Sequence, residues 1–491
     1  MQTKGILSVL LLLSMSVAAQ EKPSLPQQAN IGLPPQHANS RRAGDPGLPP
    51  QHANSRRAGD PGPFGDPAGA TPAQSSGVEA SSAGETLTLD AVVREALAKN
   101  PAVQSALHTI AAQRRRVPQV RSLPDPMVSA GWAGNITPFS VQEGDPSSNR
   151  NVSVTQQIPY PGKLKIRGEI ASKEADAYQT DYEAVVRRIT ADVKAAYFDY
   201  FYFDKAIQTT KKNKDLLEKL SKIAEARYQV GKGMQPDVLR SQVEISLILQ
   251  KLTMLDQQRA TAQAKLNSLL VRSPESPLPP AAEVQPTALQ YSLEELYALA
   301  AQSDTGVQRE SRMVERNQLA VALAQKEYRP DLGVGYMYQQ RPNLPDMHAV
   351  TFTVSVPVFY RTKQKEGVAQ ASEELMSAEK SRENRLNELK FELKQQYLVA
   401  KAADQLLNLY TKAVVPQSSL TLESAMSAYQ VGNLDFLSML TNFTILLNYE
   451  TDYYRQVADH QMALARIESL IGMELTAAGT TDLQGPKAVQ K

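Results

Sequence analysis

Along most of the chain apolar residues recur at the three- and four-residue spacing of helices, and in four short stretches they alternate instead. From Leu89 the spacing of Val93, Leu97, Val103 and Leu107 predicts a helix that runs on despite Pro101, with Asp90 as its cap. Leu123-Pro124-Asp125-Pro126 ends it. Two extended runs follow, near 127–136 and 151–158, separated by a polar stretch over 142–149. In the second run Val152, Val154 and Ile158 alternate with Ser153, Thr155 and Gln157, as in a strand with one apolar and one wet face. Residues 163–228 then contain no Pro and only Gly168, which predicts a helix reaching roughly 100 Å. The chain turns over 228–233. Residues 236–271 return with Leu239, Val243, Leu247, Leu252, Leu255, Leu266 and Leu269/Leu270 at coiled-coil spacing.

The same pattern is then written again. Ala226-Arg227-Tyr228-Gln229-Val230-Gly231 reappears as Ser427-Ala428-Tyr429-Gln430-Val431-Gly432; Val103-Gln104 matches Val307-Gln308, Pro124-Asp125 matches Pro330-Asp331, and Gln157-Ile158-Pro159 matches Ser355-Val356-Pro357. Strands are predicted near 331–340 and 349–359, joined by a loop over 341–347. A helical tract over 364–429, interrupted only by Pro416, turns at 431–433. It returns over 434–471 with Leu437, Leu440, Phe443, Leu447, Tyr454, Val457, Leu464 and Ile467. The organisation is a first repeat over 86–272, a Pro-rich linker over 273–290 lying along the helices, a second repeat over 291–475 and a flexible tail over 476–491. Each repeat is a strand pair mounted on a long helical hairpin. Strands of about ten residues with one apolar face can cross an outer membrane in a barrel, or form a water-soluble hairpin. Four strands cannot close a barrel, so the membrane alternative requires several chains.

The N-terminus changes the picture further. Residues 1–19 read as a signal peptide: Lys4, an apolar stretch over 6–15, and the small residues Val17-Ala18-Ala19. Residues 20–85 are rich in Pro, Gly, Ala, Ser and Gln and predict disorder; within them the segment 32–46 is repeated as 47–61, a tolerated duplication in a linker. There is no cysteine, hence no disulfide and no lipidated N-terminal cysteine. No later stretch is apolar enough for a transmembrane helix. A formal charge of +2 and the lack of a basic stripe interleaved with aromatics argue against nucleic acid. Enzyme chemistry finds no candidate: His108, His348 and His460 stand apart, and HExxH, phosphate-loop and nucleophile-elbow motifs are missing. No catalytic, cofactor or metal site is expected. The run from Tyr197 to Phe203 reads as helix packing on two sides.

Signal peptide, duplication, two strand pairs and two hairpins with Val-Gly tips together resemble the outer-membrane efflux protein family, the TolC-like outer membrane factors, over residues 87–473. Gln157-Ile158-Pro159-Tyr160-Pro161-Gly162-Lys163 resembles the strand-to-helix junction of its cation-efflux (CzcC-like) branch. The resemblance implies a mainly α fold with a β-barrel part. In it a homotrimer joins a twelve-stranded outer-membrane barrel to a twelve-helix periplasmic tunnel. It implies a passive exit duct of a tripartite system, with a periplasmic adaptor, an inner-membrane resistance-nodulation-division pump and outer-membrane lipid as partners. Carried over by position, the adaptor-contact tips are Tyr228, Val230, Gly231, Lys232, Tyr429, Val431, Gly432 and Asn433. The periplasmic entrance falls on Asp237, with Ser438 in the matching place of the second copy and Asp435 nearby. The junction falls on Pro159, Tyr160, Pro161, Gly162 and Lys163. For the glycines the alternative is simply that a helix must end and turn. Other readings are a periplasmic coiled-coil adaptor, or a drug or peptide duct of the same fold; the exported substrate stays open.

Overall fold

The computed structural model describes residues 86–135 and 140–475, all within one compact unit, Glu79–Lys491. The expected signal peptide, the Pro/Gly-rich segment 20–85 and the tail 476–491 lie outside the described residues.

Each repeat opens with two helices rather than one. In the first, α1 (Leu89–Lys99) stops at Asn100, whose side chain accepts the Ala102 N–H at 2.9 Å, and α2 (Pro101–Arg121) starts with Pro101. At that first position the missing proline N–H costs nothing, so the proline begins a helix instead of riding inside it. In the second repeat Asp304 does the same between α5 (Leu293–Ser303) and α6 (Thr305–Lys326), accepting from the Val307 N–H at 2.8 Å. Asp90 is not the cap of α1. Thr88 holds that place, and Asp90 lies in the first turn, where a carboxylate complements the helix dipole.

Four strands form one antiparallel sheet in chain order: β1 (Met127–Ala133), β2 (Asn149–Ile158), β3 (Asp331–Gln340) and β4 (Met347–Ser355). The central pairing of β2 with β3 joins the two repeats. Two boundaries differ from expectation. β1 ends at Ala133, and residues 136–139 are outside the described set. β4 begins two residues early and stops at Ser355, because Pro357 has no N–H to give the ladder; the Val358 N–H bonds back to the Val356 carbonyl at 2.9 Å and the chain turns.

The first hairpin is α3 (Lys163–Gln229), 67 residues long, followed by α4 (Gln235–Leu269). The outgoing arm of the second is divided: α7 (Gln364–Leu409), a π-helical turn (Tyr410–Val414) and α8 (Val415–Val431), before α9 (Phe436–Ile471) returns. Pro416 is the cause. Inside a regular helix it would remove a hydrogen bond and strike the preceding turn; here it sits in the first turn of α8, directly after the wider π turn.

Near the sheet the helices pack in the order α2, α3, α6, α7; farther away the order is α4, α3, α9 and then α7–α8. At mid-height Tyr197, Phe198, Tyr200 and Phe201 are buried between α1, α4, α9 and the linker residues Leu278 and Ala281. The aromatic run thus packs on both sides. The linker is tied down by a bridge between Leu87 and Ala281 and by the Tyr200 hydroxyl, which donates to the Leu278 carbonyl at 3.2 Å. Toward the tips a second core gathers Leu217, Leu220, Leu252, Leu255, Phe436, Met439 and Phe443, each burial worth about 1.5–3 kcal/mol.

Candidate functional site

The two hairpin tips are built alike. After α3 the Lys232 N–H bonds the Arg227 carbonyl at 2.8 Å and the Gly231 N–H the Tyr228 carbonyl at 3.0 Å; after α8 the Asn433 N–H bonds Ala428 at 2.9 Å and the Gly432 N–H bonds Tyr429 at 3.1 Å. This is the Schellman closure, and it needs a residue at positive φ. Gly231 (φ +71°) and Gly432 (φ +89°) supply it. Val230 and Val431 project at the ends, 68% and 73% exposed, and Lys232, Gly432 and Asn433 are exposed with them.

The flanking tyrosines part company. Tyr228 is 47% exposed, whereas Tyr429 is 3% exposed, edge-on to Phe436 and covered by the Arg227 guanidinium 4.7 Å from its ring centre. Arg227 also donates to the carbonyls of Tyr429, Gln430 and Lys232, so one arginine of the first tip satisfies carbonyls left over at the end of α8. Burial, then the charge of Asp237, pushes the Tyr429 phenol up against the opposing pull of Arg227. Position-by-position carry-over missed Arg227. Its signal was present: within the repeated hexamer it faces Ala428, a long cation against a methyl group.

At the expected entrance, Asp237 is half-buried in the first turn of α4. In the second tip the acid has moved forward to the cap itself. Asp435 accepts the Ser438 N–H at 2.9 Å and its hydroxyl at 2.7 Å, and these hydrogen bonds hold the Asp435 carboxyl below the usual range. Asp237 and Ser438 therefore occupy equivalent helix positions, and a carboxylate stands at both helix starts by different means.

At the junction, Pro159 and Pro161 exclude helix until Gly162, whose φ of +91° turns the chain into α3. A side chain there would meet the Lys326 ammonium at 2.8 Å. Lys163 is almost fully buried and bonds Glu327 at 3.0 Å, Asp331 at 2.9 Å and the Arg329 carbonyl at 3.2 Å. Asp331 also accepts the Tyr160 N–H at 2.7 Å. Burial works to lower the Lys163 ammonium, but its hydrogen bonds and the charges of Asp331 and Glu327 outweigh that and hold it above the ordinary lysine range. The junction thus fastens the start of the first helical hairpin to the end of α6 and the start of β3.

The sheet has two unlike faces. Its registers align Val128, Val154, Tyr336 and Val350 in one row, with Val152, Tyr338 and His348 above it and Val334 with Phe352, then Ile158, Leu332 and Val354, below. Ten of these large apolar residues are exposed. The reverse face is small or polar in the main: Ser129 with Ser153, Thr155 with Gly335 and Thr351, Gly333 with Thr353. β1 and β4 are each paired on one side only. His348 bonds the Tyr336 hydroxyl at 2.7 Å, His108 is exposed, and His460 is buried. Among the described residues no cluster of His, Asp or Glu is placed to hold a metal ion, and no helix is long and apolar enough to cross a membrane.

Residues 92–271 match the family model described as outer membrane efflux protein. No curated protein matches the chain. Solved structures share the fold. The outer-membrane channel OprN aligns over 78% of this chain and 89% of its own, with TM-score 0.68 at 15% identity. The outer membrane protein VceC from Vibrio cholerae aligns over 78% and 96%, with TM-score 0.66 at 16% identity. CusC, described for its transmembrane channel formation, aligns over 78% and 92%, with TM-score 0.65 at 15% identity. The matched segment covers the first strand pair and the first helical hairpin, and the structural likeness extends to the second.

Proposed function

We propose that three copies of this chain form an outer-membrane efflux channel, a passive duct that takes its substrate from an inner-membrane pump through a periplasmic adaptor. The observation that carries this reading is the sheet: a continuous exposed apolar face, a polar reverse face and two unpaired edges. In lipid, unpaired edge amides cost several kcal/mol each, and three four-stranded sheets close into a barrel with no edge left. From Leu332 to Tyr338 the apolar face runs about 20 Å along the strand, comparable with the band of about 25 Å of outer-membrane barrels. The helices carry the same message. α4 exposes Leu239, Val243 and Leu247, and α7–α8 expose Leu398, Val399, Leu406, Leu409 and Leu420; these two arms stand at opposite ends of the packing order and fit as the seams between protomers of a twelve-helix tunnel.

In this assembly the exposed tips, Val230, Gly231, Lys232, Val431, Gly432 and Asn433, meet the adaptor, with Tyr228 beside them and Tyr429 supporting from beneath. Asp237 and Asp435, the latter held by Ser438, border the periplasmic entrance. The motif from Gln157 to Lys163 supports the cation-efflux branch and its resistance-nodulation-division pump without selecting an ion; heavy-metal cations are one cargo, drugs or peptides the alternative. Native mass spectrometry of detergent-extracted protein should give three chains, and planar bilayers should show discrete conductance. A stable water-soluble monomer would overturn the channel. Gly231→Trp or Gly432→Trp should leave trimers intact while abolishing adaptor cross-linking, and Asp237→Ala should raise conductance without losing the adaptor. A knockout sensitive to metal salts but not to hydrophobic drugs supports the cation reading; the reverse profile replaces it.

A further inference from the structure

We propose that the cavity beside the π turn is a binding site for a saccharide of about two rings. Its volume is about 460 Å³, and it lies between α3, α9 and the Tyr410–Val414 turn. That size falls within the range of small-molecule sites, roughly 300–1,000 Å³. The cavity exists because the second repeat departs from the first. α3 runs unbroken through the matching stretch, whereas Pro416 and the π turn break the α7–α8 arm at this point. Single π turns inside α-helices are frequent at functional sites.

Its walls belong to one chain. They come from α3, α9 and the π turn with the start of α8, the last on the arm that also exposes Leu409 and Leu420. The cavity's Tyr454 is close to the linker: the Lys205 ammonium lies over the Tyr454 ring and pairs with Glu283, and seven residues on, Gln461 donates to the Gln285 carbonyl at 3.2 Å.

The lining selects the ligand class. Tyr410 and Tyr453 offer flat apolar rings, and Gln208, Thr411, Lys212 and Glu450 offer donors and acceptors around them. Among the described residues the Lys212 ammonium, the Thr411 hydroxyl and the hydroxyls of Tyr410 and Tyr453 make no hydrogen bond, and the Glu450 carboxylate has one partner, the Asn213 amide at 2.8 Å. One positive and one negative side chain leave no net charge to attract an ion. A cation would meet the Lys212 ammonium on the same wall; an anion would meet Glu450. A sugar suits both features, its C–H face stacking on tyrosine while its hydroxyls take the unused donors and acceptors.

The test uses the full chain in a detergent without a sugar headgroup and follows N,N′-diacetylchitobiose by ligand-observed NMR, with tetraethylammonium and inorganic phosphate as charged competitors. Saturable binding is expected in the unaltered protein, at least tenfold weaker in Tyr453→Ala and in Glu450→Gln, with no competition from either ion. Pro416→Ala, which lets the helix regularise, should weaken it as well. Native mass and bilayer conductance are measured on the same variants, so that a failure of the channel reading is seen separately from a failure of this site. Absence of saturable binding to the unaltered protein, equal binding in Tyr453→Ala and Glu450→Gln, displacement by tetraethylammonium, or a Tyr453-dependent capture of the adaptor without sugar binding would each overturn the proposal.

Discussion

α4 and α9 hold the same place in the two repeats and carry the same leucine-rich spacing, yet they meet different surroundings. α9 is clasped between α3 and α7–α8 and buries Leu440, Phe443, Leu447, Val457, Leu464 and Ile467. α4 packs against α3, burying Leu252, Leu255 and Leu266 in its upper part while Leu239, Val243 and Leu247 remain exposed below. A heptad pattern states that a helix has partners; it does not state whether they belong to the same chain. In the channel reading the exposed half of α4 is completed by a neighbouring protomer, and only α9 is completed at home.

The sharpest way to break this comparison is truncation on each helix. Phe443→Ala should cost about 3–5 kcal/mol through the cavity it leaves, read as a lower denaturant midpoint for the helical hairpin. Leu247→Ala should change the stability of a single chain by no more than about 0.5 kcal/mol. The pair Val243→Glu with Leu247→Glu should nevertheless abolish the trimer in native mass spectrometry. Equal losses at Phe443 and Leu247 in isolated chains would show that α4 is completed within its own protomer.

Next in size is the junction, where the repeats differ most. Lys163→Met takes the buried ammonium from Asp331 and Glu327, leaving Arg167 at 3.5 Å from Glu327, and should cost about 2 kcal/mol, since hydrogen bonds to charged groups are worth about 1.5–3 kcal/mol. At the start of the second arm, Gln364 has a buried side-chain oxygen with no partner, so Gln364→Met should shift stability by no more than about 0.5 kcal/mol. Thermal melts of the two variants test the asymmetry, and a larger loss at Gln364 would refute it.

The tips should separate by less. Gly231→Ala meets open space and suffers only the strain of positive φ, about 1 kcal/mol. Gly432→Ala adds an approach to the Arg227 Nη2 at 3.3 Å and should cost more, because Arg227 would release carbonyls of α8. Limited proteolysis at the second tip is the readout; indistinguishable cleavage of the two variants would deny Arg227 its bracing role.

The smallest effect expected is a pH slope confined to α9. His460 is buried with both ring nitrogens unpartnered, and burial lowers its proton affinity against the opposing influence of Asp404. The unfolded chain therefore takes up a proton near pH 6.5 that the folded chain resists. This contribution is constant above that pH and is lost as the pH falls toward the depressed folded value. Melting temperatures of the parent should drop between pH 7.5 and 5.5 by more than those of His460→Phe.

Much of this protein was legible in its residues. Helix and strand write different periods, so the four strands, the long arms, the turns at Gly231 and Gly432 and the twofold repetition followed from spacing, and the structure moved their ends by a few residues. The ends moved where local chemistry overrode period: Asn100 and Pro101 divided a helix, Pro357 shortened β4, and Pro416 forced the π turn. Alternation in β2 and β4 determined that the sheet would have an apolar and a polar face, because side-chain direction along a strand is set by the backbone alone. What the tertiary structure decided were contacts between residues far apart in the chain: Lys163 with Glu327 and Asp331, Arg227 beneath the second tip, Tyr429 buried while Tyr228 is exposed, and the division of α4 from α9. Periodicity records how a side chain stands relative to its own backbone. Which surface it meets depends on where the rest of the chain is folded, and no local spacing encodes that.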